Sequence, residues 1–438
     1  MVTPAGEVRH PTWGEAVRFW IQLGFINFGG PTGQIAIMHR ELVERRGWIA
    51  EDRFLHALNY CMLLPGPEAQ QLAIYLGWLF HRTWGGIIAG TFFVLPSIFI
   101  LLGLSWVYVS FGALPAVAAL FYGLKAAVLA IVAAAVLRIS RKVLKNWVMI
   151  LLAAFAFIGL ALLNVPFPAI VLAAGLIGLI GGRSWPAAFT VIRGKEIAKT
   201  VGAPTPFESD QIRPSLLGVL QVVLIGLLLW IVPLALLAFW RGAADLFFQQ
   251  GLFFSKAAMV TFGGAYAVLP YIAQAAVENY HWLRPGEMMD GLGLAETTPG
   301  PLIMVVAFVG YVGAWSNATG LSPVKAGLLG GLIATYFTFL PSFIWIFLGA
   351  PFIEQTRGNV SLSAALSAIT AAVVGVILNL ALLFGRHTLF SSTGGVDLFA
   401  SILAGVAFVG LWKGDWDILY VIPGSAMAGL IYKLWMVP

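Results

Sequence analysis

Two Pro-Gly-Pro triplets, Pro65-Gly66-Pro67 and Pro299-Gly300-Pro301, each follow a Phe-Gly-Gly triplet at the same interval, Phe28-Gly29-Gly30 in the first half and Phe262-Gly263-Gly264 in the second. Proline suits the first helical position, where its missing N–H has no partner to lose. Each Pro-Gly-Pro therefore ends one helix and starts another. The fresh N-terminus carries a positive partial charge and free backbone N–H groups, which can hold an anion. Uncharged polar side chains collect around the breaks: Asn27, Thr32, Gln34, Asn59, Gln70 and Gln71 in the first half, and Thr261, Tyr266, Gln274, Thr297 and Thr298 in the second. Amides and hydroxyls donate hydrogen bonds without fixing a counter-charge, as a tetrahedral oxyanion requires. The pattern points to two half-helix N-termini converging on one anionic ligand, with Gly29, Gly30, Thr32, Gln34, Pro65, Gly66, Pro67, Gln70, Gln71, Gly263, Gly264, Thr297, Thr298 and Gly300 as candidate contacts. The plainer alternative is that the breaks only kink two helices and the glycine pairs allow close packing.

Four charged positions bear on this chemistry. Glu68 and Glu296 do not suit an oxyanion; each either complements a helix dipole or, partly buried, exchanges a proton during transport. Lys125 lies mid-way along the apolar run 116–137, where insertion of a lysine costs roughly 2.5–3.5 kcal/mol. Either it attracts the anion or a carboxylate on another helix compensates it. Arg40 is closest to the first glycine pair and is a second-line ligand, although Arg40 with Glu44 and Glu41 with Arg45 also read as i,i+4 pairs of an exposed helix face. No H-E-x-x-H spacing, histidine–cysteine array, P-loop or nucleophile–base constellation is present, so no metal, cofactor or catalytic residue is expected.

The elements that must position these residues are membrane helices. Of the 438 residues 60% are apolar and 10% charged, against roughly 25% charged in soluble proteins. Uncharged apolar runs cover 86–110, 146–182, 214–240, 326–353, 358–385, 398–412 and 418–432, and about 20 such residues cross a bilayer. A β-barrel would instead alternate apolar and polar residues in short strands. Cys61 is the one cysteine, which excludes an internal disulfide. Residues 1–12 lack the apolar core of a removable leader. The 16 Trp and 11 Tyr read as interfacial belts. Basic loops at 138–145 and 183–213 are assigned to the cytoplasm by the positive-inside rule; the diluted charges of the second do not suggest nucleic-acid binding.

The sequence also repeats itself. The Phe-Gly-Gly and Pro-Gly-Pro triplets, Glu44 with Glu278, and Trp48 with Trp282 all recur 234 positions later, while Leu95-Pro96-Ser97 and Ala126-Ala127-Val128 recur 245 positions later. These landmarks define homologous units at 14–139 and 248–385, with connecting spans and the polar loop in 140–247 and C-terminal spans in 386–438. Three apparent crossings, 146–163, 167–182 and 214–240, separate the units. An odd number sends the second unit in from the opposite face, as in secondary transporters built from inverted repeats. The expectation is an all-α polytopic membrane protein of two inverted-topology repeats with broken half-helices.

Phe28-Gly29-Gly30-Pro31, the run from Glu41 to Trp48, Leu64-Pro65-Gly66-Pro67 and Thr298-Pro299-Gly300-Pro301 together resemble the chromate ion transporter family, long-chain type with two homologous domains. The resemblance implies a bacterial inner-membrane protein that exports chromate, driven by the proton motive force, with functional roles for both pairs of triplets. Chromate and sulfate are nearly isosteric dianions, so a permease for sulfate or another oxyanion is the alternative, followed by an anion channel. A sensor or scaffold without flux lies further off. The expected partners are the oxyanion, protons and the lipid bilayer, with a homodimer left open.

Overall fold

The computed structural model describes residues 9–28, 30–189, 216–262, 264–351, 360–390 and 395–435. Among them all regular structure is helical, apart from an isolated bridge between Phe390 and Val396. The basic positions Arg193, Lys195, Lys199 and Arg213, and the candidates Gly29 and Gly263, lie outside the described residues.

Helix α1 (Trp13–Ile26) starts in a capping box in which Thr12 and Glu15 bond each other's backbone N–H. It buries Ala16, Phe19, Trp20 and Leu23, one stripe at helical spacing. Helix α2 (Gly30–His39) runs into a π-helical turn, Arg40–Arg45, and α3 (Glu51–Cys61) leads to the first Pro-Gly-Pro. From Glu68 to Phe111 runs α4, a helical hairpin that reverses at His81–Arg82, whose backbone leaves the helical region. Its first arm, 68–80, is the half-helix expected after Pro67. The arms touch through glycine: a Cβ at Gly77 would collide with the Gly85 carbonyl, and one at Gly90 with Ile74. Gly86 packs against Phe347 and Gly327 against Tyr311, so these small residues also serve close helix packing.

The long α5 (Pro115–Val143), α6 (Trp147–Ala161), α7 (Phe167–Ser184) and the short α8 (Pro186–Phe189) complete the first half. Helix α9 (Leu216–Arg241) connects the halves and buries Gly226 alone among its described residues. The order then recurs: α10 (Leu246–Met259), α11 (Ala265–Gln274) with a π turn at Ala275–Asn279, α12 (Pro285–Thr297), the second Pro-Gly-Pro, and a 3₁₀ turn at Leu302–Met304. It continues with α13 (Val305–Asn317), α14 (Pro323–Gly349), α15 (Val360–Leu389), α16 (Leu398–Lys413) and α17 (Ile418–Trp435). Among the described residues seven helices are long and apolar enough to cross a membrane: 68–111, 115–143, 167–184, 216–241, 323–349, 363–389 and 418–435. The chain is an all-α polytopic membrane protein. The second of the three connecting crossings, 167–182, is an 18-residue helix, Phe167–Ser184, whereas the first, α6, has 15 residues, about 22 Å of rise.

The buried positions of α6, Met149, Ala153, Ala156, Gly159 and Leu160, fall 251 places before those of α16, Ala400, Ala404, Ala407, Gly410 and Leu411. Ile170, Val171, Ala174 and Gly178 of α7 match Val421, Ile422, Ser425 and Gly429 of α17 at the same interval. Each hairpin packs on the long helix of the other half, α6–α7 on α15 and α16–α17 on α5. The close approaches are reciprocal: Gly178 lies against the Ala364 carbonyl and Gly429 against the Ala119 carbonyl.

Arg82 reverses α4 with φ 53° and ψ −150°, a region essentially reserved for glycine and costing about 1–3 kcal/mol for other residues. Its guanidinium sits over Trp78 at 5.7 Å, worth roughly 0.5–1 kcal/mol. Arg82→Gly is therefore expected to stabilise the detergent-solubilised protein by about 1 kcal/mol in thermal unfolding; a lowered midpoint would show that the reversal is unstrained.

Candidate functional site

The two Pro-Gly-Pro breaks are bonded across the halves in a reciprocal pair. Gly66 N donates to Thr261 O at 2.7 Å, and Gly300 N donates to Asn27 O at 3.1 Å. Residues 27 and 66 correspond to 261 and 300 in the repeat, so each break docks on the residue just before the other half's Phe-Gly-Gly. The same contact is thus made in both directions between the halves. Both glycines have positive φ, 135° at Gly66 and 111° at Gly300. Side chains crowd them: a Cβ at Gly66 would meet Gln71 Nε2 at 2.6 Å and Ser342 Oγ at 2.7 Å, and one at Gly300 would collide with Ser97 Oγ. Ser97 and Ser342 are themselves repeat mates.

Buried amides surround the breaks. Gln34 Nε2 donates to Asn27 O at 3.0 Å and to Gly300 O at 2.5 Å. Gln71 Nε2 donates to Pro65 O at 2.8 Å, and Asn27 Nδ2 to Phe93 O at 3.2 Å. Ser97 Oγ donates to Pro299 O. The equivalent carbonyl, Pro65 O, is taken by Gln71, whose repeat mate is Val305; Ser342 Oγ is consequently left without a partner. Asn27 Oδ1, Gln34 Oε1, Gln71 Oε1 and both amide atoms of Gln70 are likewise buried and unbonded. Each such atom costs about 1–3 kcal/mol in a folded protein. That six of them gather at two helix breaks is what a site for a polar ligand requires.

At the start of the first half-helix, Glu68 Oε1 comes within 3.9 Å of the position a Cβ would take on Gly264, which links that half-helix to the Phe-Gly-Gly of the other half. Glu296, at the end of α12, accepts a hydrogen bond from Tyr266 at 2.7 Å. The end of α5 supplies the positive field here: Lys142 acts on Glu68, and Arg138 on Glu296 and Tyr266. Sequence reasoning read Arg138 and Lys142 only as topology signals, because nothing in their spacing ties them to residues far along the chain.

Not every candidate joins this cluster. Thr32 and Arg40 are exposed. The expected Arg40–Glu44 pair is replaced by His39–Glu44 at 3.1 Å, while Glu41 takes Arg45 at 2.6 Å and Arg46 at 3.6 Å. The cause is the π turn, whose wider pitch brings i and i+5 together and which an i,i+4 reading cannot anticipate. Thr297 and Thr298 turn their hydroxyls onto their own helix, at Leu294 O and Ala295 O. Gly30 has positive φ and open space where a Cβ would sit. Lys125 has the carboxylate partner of the alternative reading: Asp290 Oδ2 lies 3.4 Å from its Nζ.

A bundle of membrane-spanning helices, interrupted at two matched breaks lined with unused polar atoms, is an architecture suited to a membrane transporter. The chain belongs to the chromate transporter family, whose model matches residues 14–179 and again 248–430. It is 30% identical to a chromate transport protein of Cupriavidus metallidurans, over 98% of this chain and 96% of that one. It is 32% identical to a chromate transport protein of Pseudomonas aeruginosa, over 94% and 90%. An uncharacterized transporter of Methanocaldococcus jannaschii is 25% identical over 94% and 92%. No solved structure matches the chain.

Proposed function

We propose that the protein exports chromate across the bacterial inner membrane by alternating access, coupled to the proton motive force. The observation that carries this reading is the cluster of buried, unused polar atoms held between two cross-bonded helix breaks. Gln70 Nε2, the Ser342 hydroxyl and the first N–H groups of each half-helix are donors of the kind a tetrahedral dianion needs. The acceptor oxygens of Asn27, Gln34 and Gln71 suit a proton-bearing partner, either water or the protonated oxyanion. Glu68 and Glu296 stand at the rim as proton carriers, in the field of Lys142 and Arg138. Uptake of chromate and sulfate in competition into inverted vesicles, with and without an imposed pH gradient, tests the proposal. Chromate uptake that rises with the gradient is expected; preference for sulfate would make the protein a sulfate permease, and ionic conductance in planar bilayers would make it a channel.

The units are proposed to be inverted and to span 13–189 and 246–435, each including its terminal hairpin, with α9 as the connector. Two observations support this. Among the described residues one helix, α9, lies between the two units, an odd number of crossings. The end of α5 and the turn after it carry Arg138, Arg141, Lys142 and Lys145, whereas the corresponding stretch 383–396 carries Arg386 as its one Lys or Arg, a contrast expected when the two ends face opposite compartments. Reporters fused at Ala203 and at Arg241 should report opposite sides; finding both on one side would make the repeats parallel.

A further inference from the structure

A second polar cluster lies away from the breaks, where α4, α5 and α12 meet. Asp290 is 4% exposed. Its Oδ2 accepts a hydrogen bond from Tyr108 at 2.9 Å and lies 3.4 Å from Lys125 Nζ. Its Oδ1 is buried with no partner. The Lys125 side chain, by contrast, is 29% exposed, and of its three donors one faces Asp290. The groups that act on this cluster are Lys125 from α5, Tyr108 from α4, and Glu287 and Arg284 from the first turn and cap of α12.

The fold does not require this cluster. The repeat mates of Lys125 and Asp290 are Thr370 and His56, so the other half is built without it. Its position matters because α12 leads directly into the second Pro-Gly-Pro. An ion pair between α5 and α12 restrains that helix, and its release frees both the helix and the cation.

Resting on the transport function proposed above, we propose that Asp290 and Lys125 form a proton-operated anion gate. With Asp290 ionised, its carboxylate holds the Lys125 ammonium and the pair is neutral. When Asp290 takes a proton from solution onto a carboxylate oxygen, the pair carries a net positive charge, and Lys125 turns its donors to the incoming oxyanion. Loss of the proton returns Lys125 to Asp290 and expels the anion. One proton thus binds and leaves together with one dianion, and the two carry a net negative charge that a membrane potential negative inside drives outward.

The test uses the full chain in proteoliposomes, with labelled chromate. Lys125→Met should weaken chromate binding about 10- to 100-fold, the range for losing a charged hydrogen bond. Asp290→Asn, fixed in the neutral form, should bind chromate equally well at low and high pH and keep chromate–chromate exchange, yet lose gradient-driven accumulation about tenfold or more. Tyr108→Phe removes a hydrogen bond that favours the ionised carboxylate and should displace the pH profile of uptake to higher pH; it decides the matter if Asp290→Asn does not fold. Wild-type accumulation by Asp290→Asn, wild-type binding by Lys125→Met, or an unmoved profile for Tyr108→Phe would overturn the gate while leaving chromate transport intact. A wild-type protein inert toward chromate and sulfate would overturn the transport reading, and the gate with it.

Discussion

Gln70→Leu should yield a protein that is more stable and nearly inactive. Gln70 is fully buried, and neither its amide nitrogen nor its oxygen has a hydrogen-bond partner. Leucine has a similar size and no polar atoms, so the substitution removes a desolvation cost of about 1–3 kcal/mol. If the amide is a ligand contact, the same change removes a hydrogen bond to a charged oxyanion and lowers transport roughly 10- to 100-fold. Thermal unfolding in detergent and chromate uptake in vesicles read the two effects separately. A stabilised variant with undiminished uptake would remove Gln70 from the site; a destabilised one would show that its amide is bonded within the fold.

Alanine at the two Pro-Gly-Pro glycines should be damaging, and unequally so. Positive φ alone costs a non-glycine residue about 1–3 kcal/mol, and displacement of the break loses a cross-unit hydrogen bond worth roughly 1 kcal/mol. At Gly300 the new methyl would strike Ser97 Oγ, which is engaged with the Pro299 carbonyl. At Gly66 one of the two neighbours, Ser342 Oγ, has no partner and is free to turn aside. Gly300→Ala should therefore reduce transport about 100-fold and Gly66→Ala about tenfold. Ser342→Ala should partly restore the thermal stability of Gly66→Ala but not its transport, since it also removes a proposed ligand donor, whereas Ser97→Ala, which frees space but strips the Pro299 carbonyl of its donor, should restore Gly300→Ala poorly. Equal losses at the two glycines would mean that the serines do not set the asymmetry.

The helical membrane class was legible from composition, because a bilayer leaves few backbone solutions and all of them need long apolar runs. The breaks were legible because proline and glycine act locally: the half-helix from Pro67 to about Phe80 needed no tertiary information. The reversal at His81–Arg82 was not, since neither residue is a turn former and the hairpin is held by the contact of Gly77 with Gly85. Asp290 was missed for a related reason. Its partners lie 165 and 182 positions away, and no single-helix periodicity connects them. The correspondence of α6–α7 with α16–α17 escaped as well, because it resides in which positions are small and buried, while the exposed faces drifted freely against lipid.

Each half of the molecule grips a long helix of the other, α5 or α15, with its own last two helices, glycine against backbone. Two hands clasped in this way resist being drawn apart yet allow the wrists to turn. The grip uses rigid, closely apposed backbones with little side chain to slide on, so it serves best as a stationary frame. Motion that carries cargo would then fall to the short interrupted segments inside the clasp, whose reciprocal docking at Asn27 and Thr261 offers each a place to let go and return.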